Sequence, residues 1–236
     1  MDQNAGKPKA FIFDCDGTIL DSMGMWLEIG PMFLSRYGIS VTSEDLARFE
    51  HLALEQECEA YHREWGIGAS GDALFKDMNE MLREQYRYNI APRRNIHLFL
   101  ESAASADIPM SIATSTPADL VRIGLESNGL NDYFSNITTT GQAGASKKNP
   151  DVYNLSLSIL MEKMNKSVPP HGETWVFEDA VFGLISSGEA GYKRVGIHDP
   201  AGRCNRDDVM LHSDIFIDDF AEGLLDRIVA YKGDRS

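Results

Sequence analysis

The chain has 236 residues, of which 43% are hydrophobic, with 20 glycines besides, a globular composition that excludes disorder over most of its length and any collagen-like or Gly/Ser low-complexity character. At roughly 150 residues per domain it makes one core with a large insertion or two small domains, and a core of that size needs neither disulfide nor structural metal. Lys and Arg number 22 against 36 Asp and Glu, a net charge of -14, which argues against a nucleic-acid binder, whose backbone contacts need a basic face, and against an anionic membrane surface.

The opening residues, Met1 to Ala10, are polar and lack the apolar stretch of a signal peptide. No apolar run in the chain is long enough to span a bilayer. Ala10-Phe11-Ile12-Phe13 is short, continuous and aromatic or β-branched, which reads as a buried parallel strand. From about Ser22 to Ile90 only helical patterns follow, over Met25 to Tyr37, Ser43 to Trp65 and Ala73 to Tyr88. Residues 21–90 are therefore expected to form an inserted helical cap, moving as a lid on hinges near Leu20-Asp21 and Ala91-Pro92. Asn95 to Ala106 then carries Ile96, Phe99, Leu100 and Ala103 at helical spacing, and Met110 to Ala113 reads as a second strand. Pro117 to Asn128 is a helix closed by Gly129. A weaker strand at Asn136 to Thr139, a helix from Pro150 to Lys163 and a strand at Thr174 to Phe177 come next. A helix from Ala180 to Ala190, strands at Lys193 to Ile197 and Asp214 to Ile217, and a helix from Phe220 to Ala230 complete the chain. This alternation predicts an α/β fold with a parallel sheet, built from residues 1–20 and 91–236.

The three cysteines, Cys15, Cys58 and Cys204, are odd in number and widely spaced. That excludes a disulfide framework or a Cys/His zinc site and makes a reducing cytoplasm the expected location.

Four segments carry chemistry. Asp14-Cys15-Asp16-Gly17-Thr18 follows the first strand, and ligands of open α/β sheets bind beyond the carboxyl ends of the strands. Extended backbone would point Asp14 and Asp16 the same way, with Cys15 turned from them, and Gly17 permits a sharp turn. Two neighbouring carboxylates need a cation or a shared proton. The functional reading is a nucleophilic Asp beside an acid/base Asp; the plain one is a solvated turn. Thr114-Ser115-Thr116-Pro117 follows the second strand. There Thr116 reads as an N-cap and Pro117 as the first helical residue. Thr114 and the Ser115 amide are then placed to hold phosphate oxygens. Lys147, with Lys148 as its competitor, precedes a helix starting at Asn149-Pro150 and would neutralise charge gathered near Asp14. Glu178-Asp179 ends a buried strand, a costly place for two acids unless they bind something. Mg2+ takes oxygen ligands and commonly one or two carboxylates, a need that Asp14 and Asp179 would meet.

In order and spacing these four segments resemble the haloacid dehalogenase superfamily, specifically phosphatase-like and β-phosphoglucomutase-like members with a helical cap inserted after the first motif. The resemblance covers all but the first few residues. It implies a Rossmann-like core, Mg2+ and a phosphoaspartyl intermediate. It further implies that Asp14 attacks phosphorus and binds metal, and that Asp16 acts as acid and then base while its carbonyl binds metal. Thr114, with Ser115, and Lys147 would hold the phosphoryl group; Asp179 would be a metal ligand, and Glu178 one directly or through water. The acid at position 16 favours phosphoryl transfer over carbon–halogen or carbon–phosphorus cleavage. Two positions depart from the family pattern. Lys148 and Asn149 stand where the third motif usually has Pro-x, and Ala180 stands where Ser often follows the fourth.

The expected partner is a small phosphorylated metabolite, such as a sugar phosphate, acted on by a monomer. The alternatives are a sugar-phosphate mutase and a non-catalytic phosphometabolite-binding protein. Ser22 and Trp26 are the candidate cap residues: Trp26 occupies the position of a His in the mutases, and with Met23 and Met25 it reads either as an apolar wall over the site or as packing inside the cap. The six histidines, His51, His62, His97, His171, His198 and His212, have no ligand spacing, and Glu50, Glu55, Glu57 and Glu59 read as a solvated helix face.

Overall fold

The structure is a computed structural model and describes residues 7–49 and 54–233. The chain forms two compact units, one of the residues up to Asp21 and from Ala91 onward, the other Ser22–Ile90. Among the described residues no helix is long and apolar enough to cross a membrane.

The first unit is built on six parallel strands, β1 (Ala10–Phe13), β2 (Met110–Thr114), β3 (Ile137–Thr139), β4 (Thr174–Glu178), β5 (Lys193–Ile197) and β6 (Ile215–Ile217). Their order is β3-β2-β1-β4-β5-β6. Every residue of β1, β2 and β4 is buried, as expected of central strands covered on both faces. The chain runs outward from β1 through β2 to β3, then returns to the other side of β1 as β4. The order therefore reverses between β1 and β4, the place where open α/β sheets bind ligands. Phe13 is in register with both Ile112 and Phe177, and the Asp14 amide donates to the Phe177 carbonyl at 2.9 Å. The ends of β1 and β4 are thereby locked side by side.

The second unit holds α1 (Met23–Ser35), α2 (Ser43–Leu46), α3 (Leu54–Trp65) and α4 (Gly71–Tyr88). The single helix expected over Ser43 to Trp65 is interrupted: α2 is one turn, capped by Thr42 and Asp45 reciprocally, and passes into a 3-10 turn at Ala47–Phe49. Glu50 and His51 lie outside the described residues. The α4 helix begins at Gly71 because Ser70 caps it, accepting from the Ala73 amide at 3.1 Å. At Gly71 a Cβ would come within 2.7 Å of the Glu59 Cα, so α3 and α4 meet where only a glycine fits. Of the acids expected to be solvated, Glu55 and Glu59 are exposed, Glu59 beside Arg63, whereas the half-buried Glu57 accepts the Tyr61 hydroxyl.

The two connections run together. The Asp21 amide donates to the Ala91 carbonyl and the Arg93 amide to the Ile19 carbonyl, with Leu20 bridging Pro92 between them. This pairing holds Asp21 in the sheet unit.

Flanking the sheet are α5 (Ile96–Ser105), α6 (Ala118–Ser127), α7 (Thr140–Ala143), α8 (Asp151–Lys163), α9 (Val181–Glu189), α10 (Arg206–Leu211) and α11 (Leu224–Ala230). The short α7 and α10 have too few residues for a readable period, although Thr139 with Gln142 and Asn205 with Asp208 cap them. The last helix starts at Leu224, not Phe220, because Gly223 takes a left-handed φ of 81°. This frees the Phe220 ring to pack on Phe99 and Phe177. Alternation along β1 sends its side chains to two cores. Phe11 and Phe13 join Phe99 and Phe177, with Phe13 and Phe177 stacked at 4.2 Å. Ala10 and Ile12 pack with Val152, Tyr153, Leu157 and Leu160 of α8.

Candidate active site

Three strand ends and the start of α8 bring the polar residues together. Beyond β1, Gly17 adopts a φ of 80°, open to a glycine. The chain turns so tightly there that the Cys15 carbonyl accepts from the amides of Thr18, Ile19 and Leu20. Asp14 and Asp16 are buried in this turn, and Cys15 is fully buried, its thiol pushed well up by burial.

Lys147 is 3% exposed, whereas Lys148 is exposed to solvent. The Lys147 ammonium pairs with Asp14 and donates to Glu178 Oε2 at 2.8 Å. Its backbone carbonyl accepts from Ser186 Oγ at 2.6 Å. Glu178 is fully buried. Its Oε2 also accepts from the Tyr153 hydroxyl at 2.8 Å, and its Oε1 from the Ala180 amide at 3.2 Å. Asp179, half-buried, completes a cluster with Asp14 and Glu178 in which one carboxylate oxygen from each lies within 4.8 Å of the others.

At the end of β2, Thr114 is buried and Ser115 exposed. Thr116 is not the helix cap expected of it: α6 begins at Ala118, Pro117 holds the cap position, and no side chain caps it. The Thr116 hydroxyl is committed elsewhere, donating to Asp16 Oδ2 at 2.7 Å, while its amide donates to Thr114 Oγ1 at 3.0 Å. One threonine thus ties the first segment to the second.

Ser22 and Trp26 belong to the helical unit. The Ser22 carbonyl accepts from the Trp26 amide, and the Trp26 indole donates to the Tyr86 hydroxyl at 3.1 Å with its ring edge-on to Tyr86. Packing inside the helical unit therefore engages Trp26. His62 and His171 rest against the backbone carbonyls of Ile67 and Ala190.

The electrostatics are unbalanced. Burial, then the Glu178 charge, pushes Asp14 up to about 7, with Lys147 opposing. Burial and the charges of Asp14 and Glu178 push Asp179 well above the usual carboxylate range. Burial would lower Lys147, but Asp14 and Glu178 outweigh it and hold the ammonium above its ordinary value. Three carboxylates share one ammonium, and a buried unpaired charge is costly. An all-oxygen cluster with surplus negative charge fits a hard divalent cation such as Mg2+.

A pH effect follows from this imbalance. The Asp14 value lies above its ordinary 3.8, so the stability linked to its protonation is present below about 4 and lost as pH rises through about 7. A divalent cation on the cluster would offset that loss. Thermal scans should show Mg2+ raising Tm more at about pH 8 than at about pH 5.5. An equal rise at both would count against binding at these carboxylates.

Two residues of the centre have roles that the sequence reading misses: Tyr153 has none in it, and Thr116 only that of a helix cap. Tyr153 sits beside Val152 on the buried side of α8. Thr116 is two residues beyond Thr114, and its partner is 100 residues away in sequence.

A parallel sheet with a buried carboxylate–lysine centre at its topological switch point makes this an open-sheet α/β protein with a polar site at its strand ends. Residues 11–197 match the haloacid dehalogenase-like hydrolases, and the chain belongs to that family. It is 25% identical over 187 residues to the phosphorylated carbohydrates phosphatase of Thermotoga maritima, covering 79% of this chain and 83% of that protein. It is 23% identical over 224 residues to the validoxylamine A 7'-phosphate phosphatase of Streptomyces hygroscopicus subsp. limoneus, covering 91% and 95%. Among solved structures, CbbY of Rhodobacter sphaeroides in complex with phosphate shares the fold, with a TM-score of 0.72 at 19% identity over 92% of this chain and 96% of that one.

Proposed function

We propose that this protein is a Mg2+-dependent phosphatase that hydrolyses a small phosphorylated metabolite, such as a sugar phosphate, through a phosphoaspartyl intermediate on Asp14. The observation that carries the reading is the pairing of Asp14 with a buried Lys147 while Asp16, two residues on, is held by Thr116. One carboxylate sits beside a buried ammonium and the other accepts a threonine hydroxyl, two different settings of the kind that divide a nucleophile from an acid/base group. The phosphatases named among the relatives support the same chemistry.

Asp14, Asp179, the Asp16 carbonyl and Glu178 would hold Mg2+, which when bound supplies positive charge against the phosphoryl oxygens. An Asp14 oxygen bonds to phosphorus as the bond from phosphorus to the ester oxygen breaks, and Asp16 gives that oxygen its proton. Lys147 and the Thr114 hydroxyl, with the Ser115 amide, hold the equatorial oxygens as charge spreads over them. Asp16 then takes a proton from water as water attacks phosphorus, and Asp14 is released with inorganic phosphate. Residues 22–90 serve as the cap that selects the substrate. The test is phosphate release from a panel of phosphometabolites with Mg2+, and with Asp14→Asn as control. Conversion of a hexose 1-phosphate without net phosphate release would instead indicate a mutase.

Asp16→Asn should separate the two half-reactions. An amide can neither protonate a poor leaving group nor accept a proton from water, so release from an alkyl phosphate should fall about 10²–10⁴-fold. An activated aryl phosphate needs little protonation and should still form the intermediate, in a single burst. Equal loss of both steps with both esters would remove Asp16 from this role.

A further inference from the structure

Lys147 carries its charge on a flexible four-carbon stem, so its direction has to be imposed by neighbours. Ser186 fixes its backbone carbonyl, and Glu178 receives its ammonium. The Glu178 carboxylate must then itself be held. Its Oε2 is shared between Lys147 and the Tyr153 hydroxyl, each at 2.8 Å. Tyr153 is fully buried on α8, with its ring centroid 5.8 Å from the Lys147 nitrogen.

The opposite wall is α9. A Cβ at Gly183 would stand 2.6 Å from the Tyr153 hydroxyl oxygen and 2.8 Å and 2.9 Å from Cδ and Cγ of Glu178. Glycine is a poor helix former beside alanine, and here the space it leaves is filled by the hydroxyl and the carboxylate it meets. We infer that Tyr153, seated in the space left by Gly183, is a positioning residue whose hydroxyl fixes the Glu178 carboxylate and, through it, the Lys147 ammonium against Asp14. The kinetic consequence rests on the phosphatase reading; the geometric one does not.

Tyr153 also packs in the apolar cluster beneath the sheet, so the test must separate packing from positioning. Tyr153→Phe keeps the ring and removes only the hydroxyl. Gly183→Ala reaches the same pair from the other side while favouring the helix. The first readout uses metal-free protein labelled with ε-13C-lysine, the Lys147 signal being assigned by its loss in Lys147→Arg. Both variants should move that signal toward the position of solvated lysines. The second readout is the affinity for trifluoroberyllate with Mg2+, a phosphoryl mimic followed by 19F NMR, expected to weaken about tenfold, the scale on which supporting residues act. The third is kinetic: kcat should fall about tenfold with KM within about twofold, the pattern of an interaction made in the transition state.

An unchanged Lys147 signal and unchanged trifluoroberyllate affinity in folded Tyr153→Phe would overturn the inference. If that variant does not fold, the same result in Gly183→Ala overturns it. Should both readouts shift while even the wild type releases no phosphate from any ester, the positioning role stands and the phosphatase reading fails.

Discussion

Asp14→Asn is expected to abolish phosphate release, by at least about 10³-fold, while the protein stays folded. An amide oxygen is a poor nucleophile, and a neutral one is a weaker ligand for a hard cation. The fold should tolerate the change because Asp14 is one of three clustered carboxylates, and the Glu178 charge is among the causes that push it up to about 7. Removing its charge relieves that repulsion, and the new amide oxygen can still accept from Lys147. The metal-free Tm should therefore stay level or rise. Phosphate assays and thermal scans on the same preparation check both halves. Substantial release by folded Asp14→Asn would falsify the phosphoaspartyl mechanism.

Lys147→Met should affect stability as strongly as activity. Among the described residues the ammonium is the only cation placed between Asp14 and Glu178, and both partners are buried with it. Removing one partner of a buried pair costs about 3–5 kcal/mol, because the other charge is left uncompensated. The sign with pH can be worked out. Without the ammonium Asp14 and Asp179, both already raised and both lowered by Lys147, rise further above their unfolded values, so the destabilisation is largest at about pH 8 and shrinks as these acids take up protons toward about pH 5. Mg2+ should recover part of the lost Tm by replacing the missing positive charge, but not the turnover, since the phosphoryl oxygens still lack their lysine. Lys148→Met, at an exposed position, is the matched control and should leave both properties unchanged. A Tm for Lys147→Met equal to the wild type at pH 8 would mean that the buried triad contributes nothing to the fold.

The open α/β fold was legible because its signals are local. Ala10–Phe13, Met110–Thr114 and Thr174–Glu178 are buried at every position, so their apolar runs are continuous and end abruptly in polar residues. Those ends are where Asp14, Thr114 and Glu178 stand, and the rule that ligands gather at the carboxyl edge of a sheet marks them without coordinates. The break in helix over residues 43–65 was less legible, since the apolar period continues across it while the reciprocal cap of Thr42 and Asp45 sets a one-turn helix.

By itself the amino-acid sequence determined the order of the strands and of the longer helices of the sheet unit, and the segments that bear charge, because each depends on residues within a few positions of one another. Only the tertiary structure decided which lysine of the adjacent pair is buried, that Thr116 serves Asp16 rather than a helix end, and that Tyr153 and Gly183 shape the Glu178 carboxylate. The physical reason is distance along the chain. Lys147 and Asp14 are 133 residues apart, Thr116 and Asp16 100, and Tyr153 and Glu178 25. No local propensity encodes such contacts. They follow from the parallel register that sets the end of β1 beside those of β2 and β4, and from the helices that pack against those strands.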